Sequence, residues 1–197
     1  MHIENNKEEV PFSYYAGQFA KADPDRIASR LGIPFADGAF RVKLLGKTYS
    51  VFHPSADIVP AAALPVQTFL LRYLLESRVV AWEGQWKTFR EMPWGEMYIK
   101  PYTGRVLTRA AFSLGTRVEA FRSACQKLGA LPLTHGDAGF ELEFIGDYRM
   151  RILVWAGDEE FPPNAQVIYT DNFAEGFAAE DRVVAGDILI SHIKAAM

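Results

Sequence analysis

An α+β fold, with antiparallel hairpins in a mostly antiparallel sheet covered by helices, is predicted by three features of this sequence. Apolar residues alternate with polar ones in two hairpin-like groups, near 40–52 and 140–155. Stretches with helical spacing lie around and between those groups. The strand–helix–strand alternation that builds a doubly wound parallel sheet is missing. With 197 residues, 49% hydrophobic and 23% charged, one domain over 1–197 is expected. The run Glu4-Asn5-Asn6-Lys7-Glu8-Glu9 has no apolar period, so residues 1–9 are expected to form a flexible tail.

Val10 to Gly32 holds two helical pieces split at Asp23-Pro24, an N-cap followed by proline at the first helical position, and Gly32 stops the second. A hairpin follows, in which Phe40, Val42 and Leu44 alternate with Arg41 and Lys43. A two-residue Gly46-Lys47 loop of type II′ sets Leu44 opposite Tyr49, Val42 opposite Val51 and His53 opposite Phe40. Pro65 opens a helix to about Glu76, with Val66, Phe69, Leu70, Tyr73 and Leu74 as its buried stripe. Residues 80–102, aromatic-rich and broken by Gly84, Pro93, Gly95 and Pro101, resist assignment. A helix is expected over 104–114. Thr116 and Glu119 then have capping-box spacing, ahead of a stripe of Val118, Phe121, Cys125 and Leu128 that Gly129 ends.

Strands return at Phe140–Ile145 and Arg149–Trp155. A two-residue Gly146-Asp147 loop would oppose Phe144 to Arg149 and Leu142 to Arg151. Burial favours a one-residue shift, which pairs Phe144 with Met150, Leu142 with Ile152, Phe140 with Val154 and Glu143 with Arg151. The loop then carries the extra residue. A third strand covers about Gln166 to Thr170, after Pro162-Pro163, whose missing donors should put the acidic loop before them at the sheet's rim. The last helix runs from about Glu180 to Ala195, acids first and Lys194 last, as the helix dipole prefers.

A net charge of −3, with no run of Lys or Arg longer than two, excludes a general nucleic-acid binder from the expected functions. Cys125, the single cysteine, can neither close an internal disulfide nor hold a cluster alone, so a reducing compartment fits. The longest uncharged stretch, Ile58 to Leu71, has 14 residues and two prolines. A membrane span needs about 20. No membrane contact and a cytoplasmic location are therefore expected.

The motifs that mark common enzymes, GxSxG, the P-loop, GxGxxG, HExxH and CxxC, do not occur. Asp158-Glu159-Glu160, between Trp155 and Phe161-Pro162-Pro163, could hold a hard cation or act as acid and base, with at most Asp158 and Glu160 converging. A solvated turn is the commoner fate of so short a charge run. Two of His53, His135 and His192, with Asp137 or the acidic loop, could form a mixed metal site. His53 and His192 fall on apolar faces, however, and fit better as partly buried structural residues, so no metal site is assigned. Trp82, Trp86, Phe89, Trp94, Tyr98 and Tyr102, interleaved with Lys87, Arg90 and Lys100, could stack a flat ligand or anchor a partner. Core packing competes with that reading. Cys125, on a helix stripe, reads as a buried structural thiol.

Two stretches carry a resemblance. One is Trp86-Lys87-Thr88-Phe89-Arg90-Glu91 with Pro93 and Gly95; the more specific one runs from Trp155-Ala156-Gly157-Asp158 through Phe161-Pro162-Pro163-Asn164 to Val167. With Glu180-Asp181 and His192, they resemble a family of prokaryotic domains of unknown function, over most of the chain. The resemblance implies an anaerobe-associated domain, found alone or attached to a cysteine-rich iron–sulfur module like those of corrinoid proteins. With one cysteine this chain has no such module, so a cluster would belong to a partner. The family supplies no catalytic residues and names no cofactor.

The resulting expectation is a non-catalytic accessory or binding module, linked to corrinoid or one-carbon metabolism, whose partner is a corrinoid or iron–sulfur protein or a small ligand. A metal-assisted hydrolase or transferase using Asp158, Glu160 and a histidine is the alternative, and a structural subunit a third. Asp158, Glu160 and Asn164 are expected to share one surface with Arg90 and Trp94. There the Arg90 fork of donors would either neutralise the carboxylates as a structural pair or share them with a ligand.

Overall fold

The computed structural model describes residues 9–197. The tail expected over 1–9 lies outside the described residues except at Glu9, where the first helix begins. Helices and nine strands occur among the described residues, every pairing within each of two compact units is antiparallel, and the fold is α+β. The units are residues 1–80 and 81–197. No helix among the described residues is long and apolar enough to cross a membrane.

The first unit contains α1 (Glu9–Phe19), α2 (Pro24–Leu31), β1 (Phe35–Ala36), β2 (Ala39–Leu44), β3 (Lys47–Phe52), β4 (Ile58–Val59) and α3 (Leu64–Glu76). The Asp23 carboxylate accepts the amides of Asp25 at 2.9 Å and Arg26 at 3.4 Å, capping α2 as its sequence predicts. Gly32 closes that helix in the left-handed conformation, with φ 62°. Arg30 donates to the carbonyls of Leu74 and Leu75, which the end of α3 leaves without helical partners.

The first hairpin departs from expectation in its turn. Leu45 and Gly46, with φ 47° and 79°, are the two loop residues, a type I′ turn rather than a type II′ turn at Gly46-Lys47. Type I′ needs positive φ at both loop positions, so Leu45 joins the loop and Lys47 returns to the strand. The register moves by two: Val42 faces Tyr49, Phe40 faces Val51, and the His53 amide bonds Gly38 instead of lying opposite Phe40. A shift of two preserves the faces, so Phe40, Val42, Leu44, Tyr49 and Val51 remain buried.

The second unit begins with β5 (Trp86–Thr88) and a 3₁₀ turn at Phe89–Glu91. A long helical run follows: α4 (Gly95–Tyr102), a π turn at Thr103–Thr108, and α5 (Arg109–Leu114). After a 3₁₀ turn at Gly115–Arg117 come α6 (Val118–Lys127), β6 (Leu131–Leu133), β7 (Ala138–Ile145), β8 (Tyr148–Trp155), β9 (Asn164–Thr170), α7 (Phe173–Gly176) and α8 (Ala179–Ala196). Within the unit the strands lie in the order β6-β7-β8-β9-β5. Phe140, Met150, Ile152, Val154, Val167 and Tyr169 are buried on one face, against which α5 and α6 pack. Glu141, Glu143, Arg149 and Arg151 occupy the other.

The β7–β8 register also corrects the sequence reading. The turn keeps two residues, Gly146 and Asp147, and the extra residue is a bulge at Phe144. Leu142 therefore pairs with Met150, Phe140 with Ile152, Glu141 with Arg151 and Glu143 with Arg149. The apolar faces match as burial required, one pair away from the expected partners. The Thr116–Glu119 capping box does not form. The Thr116 hydroxyl donates back to the Phe112 carbonyl at 2.8 Å, because the 3₁₀ turn joins α5 to α6 and leaves no open helix start for it to cap.

Candidate interaction surface

The segment 89–98 combines a fixed backbone with exposed side chains. Phe89 is buried and stacks on Tyr102, with ring centroids 4.0 Å apart and planes 7° from parallel. Met92 is buried as well. The Glu91 carboxylate accepts both the amide and the hydroxyl of Thr88 at 2.7 Å, which closes the 3₁₀ turn and holds the Glu91 carboxyl below its usual range. Gly95 sits so tightly that a Cβ there would lie 2.2 Å from the Phe89 carbonyl oxygen. That glycine serves close packing, and the left-handed residue that reverses the chain is its neighbour Trp94, with φ 64°. A bulky residue with positive φ is a genuine outlier.

Trp94 is 68% exposed, Met97 72% and Tyr98 39%. Trp94 immediately precedes α4, and Met97 and Tyr98 lie in its first turn, with Pro101 a turn further on. Gly95 and Tyr102 are buried on the inward face. This stripe is rich in the side chains that anchor protein interfaces. Pro101 has no amide to offer the Met97 carbonyl, and beyond it the helix widens into the π turn, a form that recurs at functional sites.

From the other end of the unit comes Arg182, on α8, only 1% exposed. Its Nη2 donates to the Pro93 carbonyl and its Nε to the Ala178 carbonyl at 3.4 Å, while its guanidinium lies 5.7 Å from the centre of the Phe89 ring. The Tyr169 hydroxyl donates to the Arg182 carbonyl at 3.1 Å and lies 3.3 Å from the Tyr102 hydroxyl. Burial raises the pKa of both tyrosines, so they stay neutral hydrogen-bonding groups.

The acidic loop has a different construction. Residues 156–163 connect β8 to β9 outside any strand, at the rim where the two prolines were expected to put them. Asp158 Oδ1 accepts the amides of Glu160 at 2.9 Å and Phe161 at 2.7 Å, and the Asp158 amide donates to the Phe161 carbonyl at 2.9 Å. Those bonds, the Phe161 amide first, hold the Asp158 carboxyl below its usual range. Glu160 is exposed, and Asn164, the first residue of β9, accepts the Ala165 amide at 2.8 Å. Asp158, Phe161, Pro162 and Pro163 line a groove of about 590 Å³ with the start of α6.

β5 runs antiparallel to β9, so the chain leaving Thr88 heads toward the Asn164 end, where the acidic loop enters. Among the described residues, no hydrogen bond or ion pair joins Arg90 or Trp94 to Asp158, Glu160 or Asn164. Of the two roles open to Arg90, the structural pair with the acidic loop does not form among the described residues: Arg90 is exposed and meets Glu96 at 3.4 Å, because the reversal at Trp94 brings α4 back beside it.

His53 is half-buried against Phe19 and Phe35, its Nε2 3.0 Å from the Ala22 carbonyl oxygen. His192 is half-buried on α8, and His135 is exposed. Among the described residues, no three His, Cys, Asp or Glu side chains gather as a metal site would require. Cys125 is buried, and desolvation pushes its thiol up to about 12.

Sequence reasoning missed the part played by Met97 and Arg182. Met97 had a signal: with Trp94, Tyr98 and Pro101 it forms a second apolar stripe beside the one through Tyr102. It also missed Glu141, which is nearly buried and bridges Arg149 at 3.1 Å and Arg151 at 2.9 Å. Arg151 in turn lies 3.7 Å over the Trp86 ring. Cross-strand alternation of Glu and Arg was its visible sign.

These features describe an α+β protein with a braced, exposed aromatic surface. Residues 23–192 match the family described as Domain of unknown function (DUF3786), and the chain belongs to that family. No curated protein and no solved structure matches the chain.

Proposed function

We propose that this protein is a non-catalytic accessory module that docks a partner protein through Trp94, Met97 and Tyr98. The observation that supports this reading is the exposure of these three apolar side chains on a backbone that buried groups hold in place. Exposed apolar residues scattered singly need no explanation, whereas a cluster on a rigid support suits an interface anchor. Charge gives the partner's chemistry. Arg90 pairs with Glu96, and Arg105 and Arg109 with Asp187, which leaves Lys87 and Lys100 as the other basic side chains of residues 86–109. An apolar pocket rimmed by carboxylates complements that surface.

The family resemblance adds the partner's class, a corrinoid or iron–sulfur protein serving one-carbon metabolism in anaerobes. Cys125, buried and protonated, is no ligand for a cluster, so the cluster would be the partner's. Arg90, beside Trp94, belongs to the rim of the surface, and Asp158, Glu160 and Asn164 lie toward the same end of the sheet.

The test is titration of a purified corrinoid iron–sulfur protein from the same source with wild type and with the Trp94→Ala/Met97→Ala double variant. Loss of two anchors should weaken binding by at least about 30-fold, the scale of a 2 kcal/mol hot spot. The melting temperature should stay within about 2 °C, as for surface changes generally, and wild-type affinity should fall with rising salt. Equal binding by the two proteins would overturn the proposal.

A further inference from the structure

We infer that Arg182 is the positioning residue of this surface, holding Trp94 in its left-handed, outward conformation from the opposite end of the unit's sequence. The inference concerns the same site as the docking reading, but the geometry behind it stands without a partner.

Trp94 has two costs against it. Its φ of 64° is unfavourable for any residue with a Cβ, and its indole is left in water. Left to itself, the segment would relax toward negative φ and lay the indole against apolar surface. Something must oppose that relaxation. Gly95 and the Phe89–Tyr102 stack fix the chain on either side, and among the described residues one side chain donates a hydrogen bond to the peptide immediately before Trp94. That is Arg182, donating to the Pro93 carbonyl from 89 positions away.

A buried arginine is an expensive way to fill this space. Arg182 is 1% exposed, and among the described residues its Nη1 has no hydrogen-bond partner. An apolar side chain of similar volume often packs such a position at least as well. What it lacks is a planar fork that can hold the Pro93 and Ala178 carbonyls together and tie the Pro93–Trp94 peptide to the start of α8. The fork thus couples α8 to the outward aromatic side chain.

The experiment uses full-length protein labelled with 5-fluorotryptophan, whose four ¹⁹F resonances report Trp82, Trp86, Trp94 and Trp155 separately. Trp94→Phe assigns the relevant one. In Arg182→Met, the Trp94 resonance should shift, broaden and lose accessibility to a soluble paramagnetic quencher, while that of Trp155 stays in place. Arg182→Lys, whose ammonium cannot span both carbonyls, should give an intermediate position. Should Arg182→Met not fold, Arg182→Lys carries the test alone. An unmoved, equally accessible Trp94 resonance in either folded variant would overturn the inference. That outcome would leave the docking reading standing, since partner binding is measured separately with Trp94→Ala/Met97→Ala.

Discussion

In the loop at 158–161 the charged side chain satisfies its own backbone, whereas at Pro93–Trp94 a buried arginine bonds the backbone and the indole faces water. Asp158 Oδ1 accepts two amides of its own turn. That is turn chemistry, and it leaves the carboxylate with less to offer a ligand. Among the described residues the Trp94 side chain makes no comparable hydrogen bond, and the support of its backbone comes from Gly95, Phe89 and Arg182. A dense charge run looks more functional in a sequence than Pro-Trp-Gly does. Structure reverses that order, because function depends on what a side chain has left over after the fold has used it.

The contrast is tested most severely at the glycines beneath each segment. A Cβ on Gly95 would meet backbone at 2.2, 2.8 and 2.9 Å, atoms that cannot swing away. Gly95→Ala should cost about 3 kcal/mol, at the upper end of overpacking effects, and lower the melting temperature by roughly 6–12 °C. On Gly157 a Cβ would meet the Pro163 ring at 2.7 Å, its backbone nitrogen at 2.8 Å and the Phe161 carbonyl oxygen at 3.2 Å, contacts less close than the 2.2 Å at Gly95 and set in a loop outside any strand, where the chain has room to shift. Gly157→Ala should cost nearer 1 kcal/mol. Equal losses in the two melting curves would mean that the display segment is no more tightly braced than the loop.

The smallest effect is one of pH. Hydrogen bonds to the charged forms lower the pKa of both Asp158 and Glu91. Because these values are depressed relative to the unfolded chain, the stabilisation is present above the ordinary carboxylate range, about 4, and disappears as pH falls through the lowered values. The amide shifts of Glu160 and Phe161, and of Thr88, should therefore titrate with midpoints below that range. Midpoints at the ordinary value would show that neither turn is stapled as described.

Local signals were legible in the sequence. Asp23-Pro24 and Gly32 bound α2 because capping depends on residues within one turn of the helix end. Strand faces were legible too, since alternation fixes parity; register was not, because two registers of equal parity bury the same face. Choosing between them required knowing that Leu45 takes positive φ and that Phe144 bulges, and neither residue type announces such a conformation. At the candidate surface, Trp94 and Arg90 were legible as chemical types, yet Arg90's partner is Glu96, brought near by the reversal at Trp94. Arg182 was invisible for the same physical reason: its target carbonyl is adjacent only after α8 has packed. Met97 carried the signature of a buried stripe and is exposed, which sequence spacing alone cannot distinguish.

The central claim is that Trp94 is kept for its side chain and at some cost to the fold. Thermal unfolding of Trp94→Asn measures this directly, since Asn tolerates the left-handed conformation that a tryptophan occupies at φ 64°. Relief of about 1 kcal/mol of backbone strain should raise the melting temperature by roughly 2–4 °C, with the exposed indole giving up no packing in exchange. A fall of similar size would show that the indole supports the fold, and would contradict the reading of Trp94 as an anchor held out for a partner.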